Sequence, residues 1–591
     1  MVEFLSVQRM YETFLVCNRK VSSEKEEERM NQMTKLLIAS AVIALIASVL
    51  VTPLITKKRE DGQSKKVIGY FFIGVFVLGF LATGITLYVT KIDVNWLVFW
   101  PAIILLTLAG ALLASGIERK IKGVLFLASL GVAVYVLSAP LWNANEKFKS
   151  SEMKEEVEIK PFDETQTPAS VPPKFARNKM KKAFGQVPNT SYYELGRLQI
   201  QKVKGEYVYI APVEFSGFFK WMNGDTTPGY FIMSATDSAD NPKFIKEEMK
   251  YVPSAYLNTN LERHIRLQHP FLIFYGDVQL EVDDEGKPYY IRSYGEFISG
   301  RNGFDVKGIV LVDALTGKSE VVKLDAIPEF IDGAVSPETV SLQNSYFGNY
   351  VHGFWNSMFG KKDVKIPSDE GTESNVSPIF DEKGDMYYFT DFTSPKEGVD
   401  SMLGYSLTNA RTGEATYYTG NLDSSYMDSQ GNLQIIEKKF IEKKWAGEMP
   451  VLYNFYGEAS WLTAVLDSNG FLQNYFIVSA ANPEISVYAT TPREALKLYK
   501  TALSRGGNTV DGSSNAEEKQ ASGKVVRVYK ERLGDFTTIS FLLSDGENYL
   551  VSAETEPLAI YLQEGDEVII KYGETGEQFL PVRSLIIKGL Q

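Results

Sequence analysis

The sequence predicts an α+β membrane protein: four transmembrane helices, then an array of about four β-hairpin/helix modules, then a small β-barrel. Three observations carry this expectation. Four apolar stretches free of Asp, Glu, Lys, Arg and His follow one another between residues 36 and 142. Beyond them, turn-and-tyrosine blocks and Thr-Gly strand ends recur at similar spacing. Five short strand-like runs then crowd residues 523–588. The 591 residues suffice for three or four domains. The single cysteine rules out a disulfide framework and a multi-thiolate metal centre.

Residues 1–35 form an N-terminal tail rich in charge. Glu26-Glu27-Glu28-Arg29 precedes Met30, and translation from Met30 or Met33 is one expectation for the start of the chain. The four-helix transmembrane domain covers 36–142. Its stretches, Leu36–Ile55, Val67–Thr90, Trp96–Ile117 and Gly123–Trp142, each approach the twenty residues that a helix needs to cross a bilayer. Trp96, Trp100 and Trp142 stand at stretch ends, where amphipathic rings favour the headgroup level. Ser40, Ala44 and Ser48 form a small-residue stripe, as do Gly110 and Ala114, and such stripes suit close helix packing or self-association. The bilayer is thus one expected partner, and a homo-oligomer formed through these faces is another.

Lys57, Lys58, Arg59, Lys65 and Lys66 lie between the first two stretches. Arg119, Lys120 and Lys122 lie between the third and fourth, whereas Lys91 alone lies between the second and third. These counts place a multi-pass protein in the cell membrane with its large C-terminal part outside the cytoplasm. Arg19, Lys20, Lys25, Arg29 and Lys35 argue for the opposite orientation unless translation starts later. Residues 1–142 carry 15 basic and 10 acidic side chains, and the remainder carries 46 and 63. An acidic domain of this kind repels phosphate backbones, so no nucleic-acid partner is expected.

Residues 143–188 read as a linker with Val171-Pro172-Pro173 at its centre. Within it Lys174, Arg177, Lys179, Lys181 and Lys182, beside Phe175 and Phe184, read as solvated linker or as a patch resting on anionic lipid. The repeat domain spans 189–505. Asp283-Asp284-Glu285-Gly286-Lys287-Pro288-Tyr289-Tyr290-Ile291 parallels Asp381-Glu382-Lys383-Gly384-Asp385-Met386-Tyr387-Tyr388-Phe389. Gly308–Gly317 parallels Gly404–Gly413, with alanine and Thr-Gly in the same register. Weaker copies pair Gly229–Ala235 with Asn474–Ala480, and Gly205–Ile210 with Gly447–Tyr453. Asp and Gly three apart, at 283/286, 381/384, 428/431 and 467/470, predict type I turns between strands. Helices are expected at Leu257–Leu267, Pro337–Met358 and Thr491–Ser504. A flexible linker occupies 506–522. The barrel covers 523–591, with strands at Gly523–Lys530, Thr537–Leu543, Asn548–Ala553, Glu567–Tyr572 and Leu580–Ile587, and this pattern resembles an OB-like fold.

No motif for metalloprotease, serine hydrolase, P-loop or dinucleotide chemistry occurs. His264 and His269 are five apart, so they do not share a helix face for metal, and His352 is remote. Ser151-x-x-Lys154 matches a serine–lysine spacing without its companion motifs, and the Asp-rich turns lack a calcium loop's terminal glutamate. The expectation is no catalytic, cofactor-binding or metal-binding residue, no cofactor and no enzyme.

The order Gly286-x-x-Tyr289-Tyr290-Ile291 followed by Gly308–Lys318 resembles a PepSY-like module, whose last strand ends in Asp-Ala-x-Thr-Gly. Asp313, Ala314, Thr316 and Gly317 match; the second copy departs at Asn409 and keeps Ala410, Thr412 and Gly413. The resemblance implies an envelope-associated, non-catalytic module that in some cases restrains a peptidase. The combined expectation is a bacterial or bacteriophage-encoded membrane protein that binds or scaffolds other membrane or envelope proteins. An envelope-peptidase regulator is the alternative, and a membrane enzyme or transporter component with an unrecognised site the third reading.

Overall fold

A computed structural model describes residues 34–55, 62–157, 171–369, 371–372, 375–381, 383–396, 398–419, 425–505, 518–533, 536–553, 556–573 and 579–590. Three helices are long and apolar enough to cross a membrane: α1 (Thr34–Val51), α2 (Gly62–Thr90, apolar from Lys66) and α4 (Gly116–Trp142). The third apolar stretch is broken. It forms a 3-10 turn at Trp96–Phe99 and a shorter helix, α3 (Trp100–Leu113), after which the backbone is extended at Ala114 and Ser115. Glu118 in its first turn suits a helix N-terminus, so α4 takes in Arg119, Lys120 and Lys122, which the sequence reading put in a loop.

Inside the bundle the small-residue stripes face neighbouring helices. Ser40, Ala44 and Ser48 are buried, and an added Cβ on Gly79 or Gly84 would stand 3.4 Å from Ala44 or 3.5 Å from Ser40. Gly110 lies so close to α1 that a Cβ would overlap the Leu50 carbonyl oxygen. Gly110→Val is therefore expected to separate α1 from α3, read as loss of crosslinking between paired cysteines on the two helices. At this end Glu118 accepts hydrogen bonds from the Leu54 and Ile55 amides (2.8 and 2.7 Å). Lys122 pairs with Glu118 at 2.9 Å and donates to the Thr52 carbonyl at 2.6 Å. The pair closes the exposed C-terminal peptide groups of α1.

The opposite end seats the soluble domain. Arg301 grips Asp93, in the α2–α3 connection, through two 2.9 Å bonds. Arg263 donates to the Tyr88 carbonyl (2.9 Å), Arg266 to that of Lys91 (2.8 Å), and Lys91 pairs with Glu262. The expected linker at 143–188 is largely structured. It contains α5 (Ala144–Ser150), β1 (Lys154–Glu156) and α6 (Pro173–Ala183). The i, i+1, i+5 spacing of Phe175, Ala176 and Met180 puts them on one face of α6, where they are buried. Two of its lysines bind protein: Lys174 pairs with Glu448 (2.5 Å) and Lys179 donates to the carbonyls of Ser238 and Asp240. The amphipathic pattern faced a protein core, not lipid.

Four antiparallel sheets follow. The first comprises β2 (Tyr193–Leu195), β3 (Gln199–Val203), β4 (Glu206–Phe215), β5 (Thr227–Ser234) and β6 (Lys243–Met249), with α7 (Phe218–Asn223) between β4 and β5. After α8 (Leu261–Gln268), the second holds β7 (Ile273–Phe274), β8 (Gln279–Val282), β9 (Pro288–Glu296), β10 (Asp305–Asp313) and β11 (Ser319–Lys323). After α9 (Pro337–Asn349) and α10 (Gly353–Trp355), the third holds β12 (Ile366–Pro367), β13 (Ser377–Phe380), β14 (Met386–Thr393), β15 (Met402–Asn409) and β16 (Ala415–Tyr418), with β1 added in parallel to β16. After α11 (Ser429–Lys439), the fourth holds β17 (Ala446–Phe455), β18 (Glu458–Leu466), β19 (Leu472–Ser479) and β20 (Ser486–Ala489), and α12 (Pro492–Arg505) follows.

Every sheet contains a four-strand meander preceded by a helix, and one bond recurs in all four. A glycine of positive φ (Gly205, Gly286, Gly384, Gly457) opens the second strand. The residue two places on accepts a hydrogen bond from the buried alanine that ends the third strand: Ala235 to Tyr207, Ala314 to Pro288, Ala410 to Met386, and Ala480 to Ala459. The fourth glycine is thus Gly457. The stretch from Gly447 that the sequence reading paired with Gly205 lies in a first strand instead. Asp428 also differs from expectation. It caps α11 by accepting from the Gly431 amide, whereas Asp283, Asp381 and Asp467 do form hairpin turns. Aspartate serves both termini because each exposes unpaired amides.

Helices and sheets alternate. α6 covers Tyr209, Ala211 and Phe231 on one face of the first sheet. Val208, Ile210 and Tyr230 on its other face meet α8 and the second sheet. Ile436 of α11 packs in one cluster with Phe389 and Tyr405 of the third sheet and Trp461 and Phe476 of the fourth, where Phe389 meets Trp461 edge-on at 5.9 Å, and α12 seals the far side. Trp461 is fully buried, so Trp461→Ala is expected to destabilise this layer by about 3–5 kcal/mol in denaturant unfolding.

The C-terminal unit has strands β21 (Glu518–Leu533), β22 (Phe536–Leu543), β23 (Asn548–Ser552), β24 (Glu567–Gly573) and β25 (Leu580–Ile587), joined in the ring order β21-β22-β23-β25-β24. β21 starts inside the expected flexible linker, whose residues 506–517 lie outside the described ones. It serves two neighbours: residues 518–524 pair with β24 and the remainder with β22.

Candidate functional site

The first and second sheets enclose a pocket of about 240 Å³ built around Glu214. Glu214 lies on β4 in the run Ile210-Ala211-Pro212-Val213-Glu214-Phe215, where an inward position in an otherwise apolar strand carries a carboxylate. Ser254, in the segment before α8, donates to it from both its amide (3.1 Å) and its hydroxyl. The Tyr290 hydroxyl, on β9, donates from the other side at 3.1 Å. Burial pushes the Glu214 carboxyl up to about 7, against the lowering effect of these donors. Arg197 stands at the mouth, pairing with Asp277 (2.7 Å) and Glu338.

A carboxyl of this kind can exchange a proton near neutral pH. Here its oxygens are occupied by three donors that join two sheets, and burial raises Tyr290 as well. The arrangement therefore ties neighbouring layers together through Glu214. Sequence reading missed it, and the one signal was a glutamate amid apolar strand residues.

A second, polar cleft of about 510 Å³ lies where turns of the first three sheets converge. Lys202 and Lys204 come from the first, Asp283 and Asp284 from the second, and Lys383, Asp385 and Arg411 from the third. The Lys202 amide donates to Asp332 (2.6 Å), and Arg411 binds the carbonyls of Ile327, Glu329 and Ile331. Burial raises Asp332 to about 6. Tyr207 stacks on Phe380 at 3.8 Å.

The motifs singled out earlier have structural partners. Asp283 Oδ1 accepts from the amides of Glu285 and Lys287, and Asp381 Oδ1 from those of Lys383 and Asp385, as turn chemistry requires. Asn409 keeps the turn contacts of Asp313, since each Oδ1 accepts two amides of the following turn, but lacks the ion pair that Asp313 makes with Lys287 at 2.6 Å. His264 binds the Gly317 carbonyl, His269 the Ser319 hydroxyl and His352 Asp363, so the three are not brought together. Ser151 donates to the carbonyls of Lys147 and Phe148, away from Lys154. Tyr290 and Tyr388 point into the core while Tyr289 and Tyr387 are half-exposed. Among the described residues no group of three or more His, Cys, Asp or Glu side chains could hold a metal ion.

No protein-family model matches the chain, and no curated protein matches it. Among solved structures, an alpha-L-arabinofuranosidase from Lactobacillus brevis aligns over 61% of this chain and 86% of its own at 10% identity, with a TM-score of 0.17. A Trypanosoma rangeli sialidase aligns over 67% and 55% at 9% identity, with a TM-score of 0.16. These likenesses carry no argument about fold or activity.

Proposed function

We propose that this protein anchors a large non-catalytic domain outside the cytoplasm, where it binds or scaffolds other cell-envelope proteins. The observation that carries the reading is the polarity of the helix bundle. The domain sits on the end formed by Tyr88, Lys91, Asp93 and Asn143. Arg119, Lys120 and Lys122 lie at the other end; the sequence joining α1 to α2 there carries three more basic residues, and Lys65 and Lys66 follow in the first turns of α2. Short basic connections favour the cytoplasmic side, so the domain falls outside. α3 with its preceding turn approaches the lower limit of about 17 residues for a span, which supports four crossings.

The recurring helix and four-strand meander, with Asp/Asn-Ala-x-Thr-Gly endings in its second and third members, supports reading the array as four PepSY-like units. The ring of strand pairings supports an OB-like barrel serving as a docking module. The same endings favour a second reading, in which the array restrains an envelope peptidase; that predicts a copurifying protease whose activity falls when the soluble domain is added.

Glu320→Cys and Ser544→Cys, both at exposed sites and each in a Cys17→Ser background, test the orientation. A membrane-impermeant maleimide is expected to label both on intact cells. Labelling only after lysis would place the domain in the cytoplasm and overturn the reading.

A further inference from the structure

Among the described residues, three sites with strongly exposed large apolar side chains border the end of the helix bundle on which the soluble domain is seated; others, such as Ile441 and Tyr561, lie elsewhere. The first is on α7 and the loop before α8. Phe219 is 70% exposed, with Met222 and Leu257 beside it. Tyr256 packs edge-on to Phe218 at 5.1 Å, which ties α7 to this loop. The next residues of the loop touch the bundle, since Asn258 accepts from the Tyr88 hydroxyl at the end of α2 (2.9 Å). The second is Phe271, 74% exposed, adjacent to Pro270, whose carbonyl accepts the Val94 amide at 3.0 Å. The third is the stretch after α9. Trp355 and Phe359 are 64% and 75% exposed and stack on each other at 6.0 Å. Gly353, two residues earlier, lies against Asn145 just beyond α4.

Exposed apolar patches of this size on a soluble surface mark a contact. Their common location identifies it. Each site is connected by a hydrogen bond or close approach to a point where the chain leaves an apolar helix; there Trp355 offers an amphipathic ring suited to the water–hydrocarbon boundary, and Phe219, Phe271 and Phe359 offer the apolar surface of an interfacial element. Lys220, Lys361 and Lys362 accompany the rings, as long basic side chains do at headgroup depth. We propose that the clusters containing Phe219, Phe271, and Trp355 with Phe359 insert into the headgroup region of the bilayer around the bundle, so that the domain lies on the membrane through three aromatic feet. The inference rests on the reading that α1, α2 and α4 cross a membrane.

Single cysteines at Phe219, Phe271 and Phe359, each in the full-length Cys17→Ser protein, would carry a nitroxide label. The protein would be reconstituted in vesicles of phosphatidylcholine and phosphatidylglycerol. Leu78→Cys, on the outward face of α2, reports the hydrocarbon, and Ser544→Cys reports water. Collisions with oxygen relative to a nickel chelate are expected to be several-fold higher at 219, 271 and 359 than at 544, and below those at 78. If 78 is lipid-exposed but the three sites match 544, the clusters stand in water and the proposal is wrong. If the three sites are shielded from both reagents, protein covers them, which also overturns it. If 78 itself reads as aqueous, the membrane reading and the proposal fail together. All five positions are exposed, so labelling leaves the packed core untouched, and unchanged circular dichroism checks each variant.

Discussion

Arg301→Ala is expected to release the soluble domain from the helix ends. The guanidinium binds both oxygens of Asp93, which is 6% exposed. Removing one partner of such a pair strands the other charge in a poorly solvated place, a loss of about 3–5 kcal/mol. The neighbouring contacts of Arg263, Arg266 and Lys91 are shorter-range ties to backbone or to a half-exposed glutamate. Arg301→Lys should recover only part of the loss, because lysine keeps the charge without the two-pronged geometry. Hydrogen exchange at Val94, whose amide is held by the Pro270 carbonyl, is the measurement. Wild-type protection in the alanine variant would show that the junction does not depend on this pair.

The second large effect is on pH. Glu214 is raised to about 7 by burial, and burial likewise raises Asp391 and Asp332 to about 6. For a carboxyl raised on folding, the native state holds its proton over a range where the unfolded chain has lost it. Stability therefore falls as pH rises from the unfolded value, about 4.3, through the folded one. For Glu214 alone the difference between pH 5 and pH 8 is on the order of 3 kcal/mol. The domain should unfold at lower denaturant above pH 7 than at pH 5. Glu214→Gln, which retains a hydrogen-bonding side chain of the same size, should remove much of that slope. A midpoint that is flat with pH in the wild type, or equally steep in the variant, would refute the assignment.

The elements with strong local signals are legible in the sequence. The apolar runs of α1, α2 and α4, the paired tyrosines of β9 and β14, and the Thr-Gly endings of β10 and β15 all appear in the sequence reading as helix or strand. What escaped depends on neighbours distant in sequence. α6 looked like linker because its lysines and prolines dominate its composition, and only the packing of Phe175, Ala176 and Met180 reveals the buried face. The break after α3 depends on two extended residues within an apolar run. Glu214 became a candidate only when the fold carried Ser254 and Tyr290 to it, 40 and 76 residues away.

Sequence order and mechanical order differ in this molecule. After α4 the chain forms α5, whose Phe148 stacks on Phe347 of α9, and then β1, which joins the edge of the third sheet through Lys154, Glu155 and Glu156 opposite Thr416, Tyr417 and Tyr418. A pull between the bilayer and a protein held by this domain thus loads the middle of the array first, although the first sheet follows the membrane segment in the sequence. The parallel β1–β16 pair delivers that load to the edge of the third sheet.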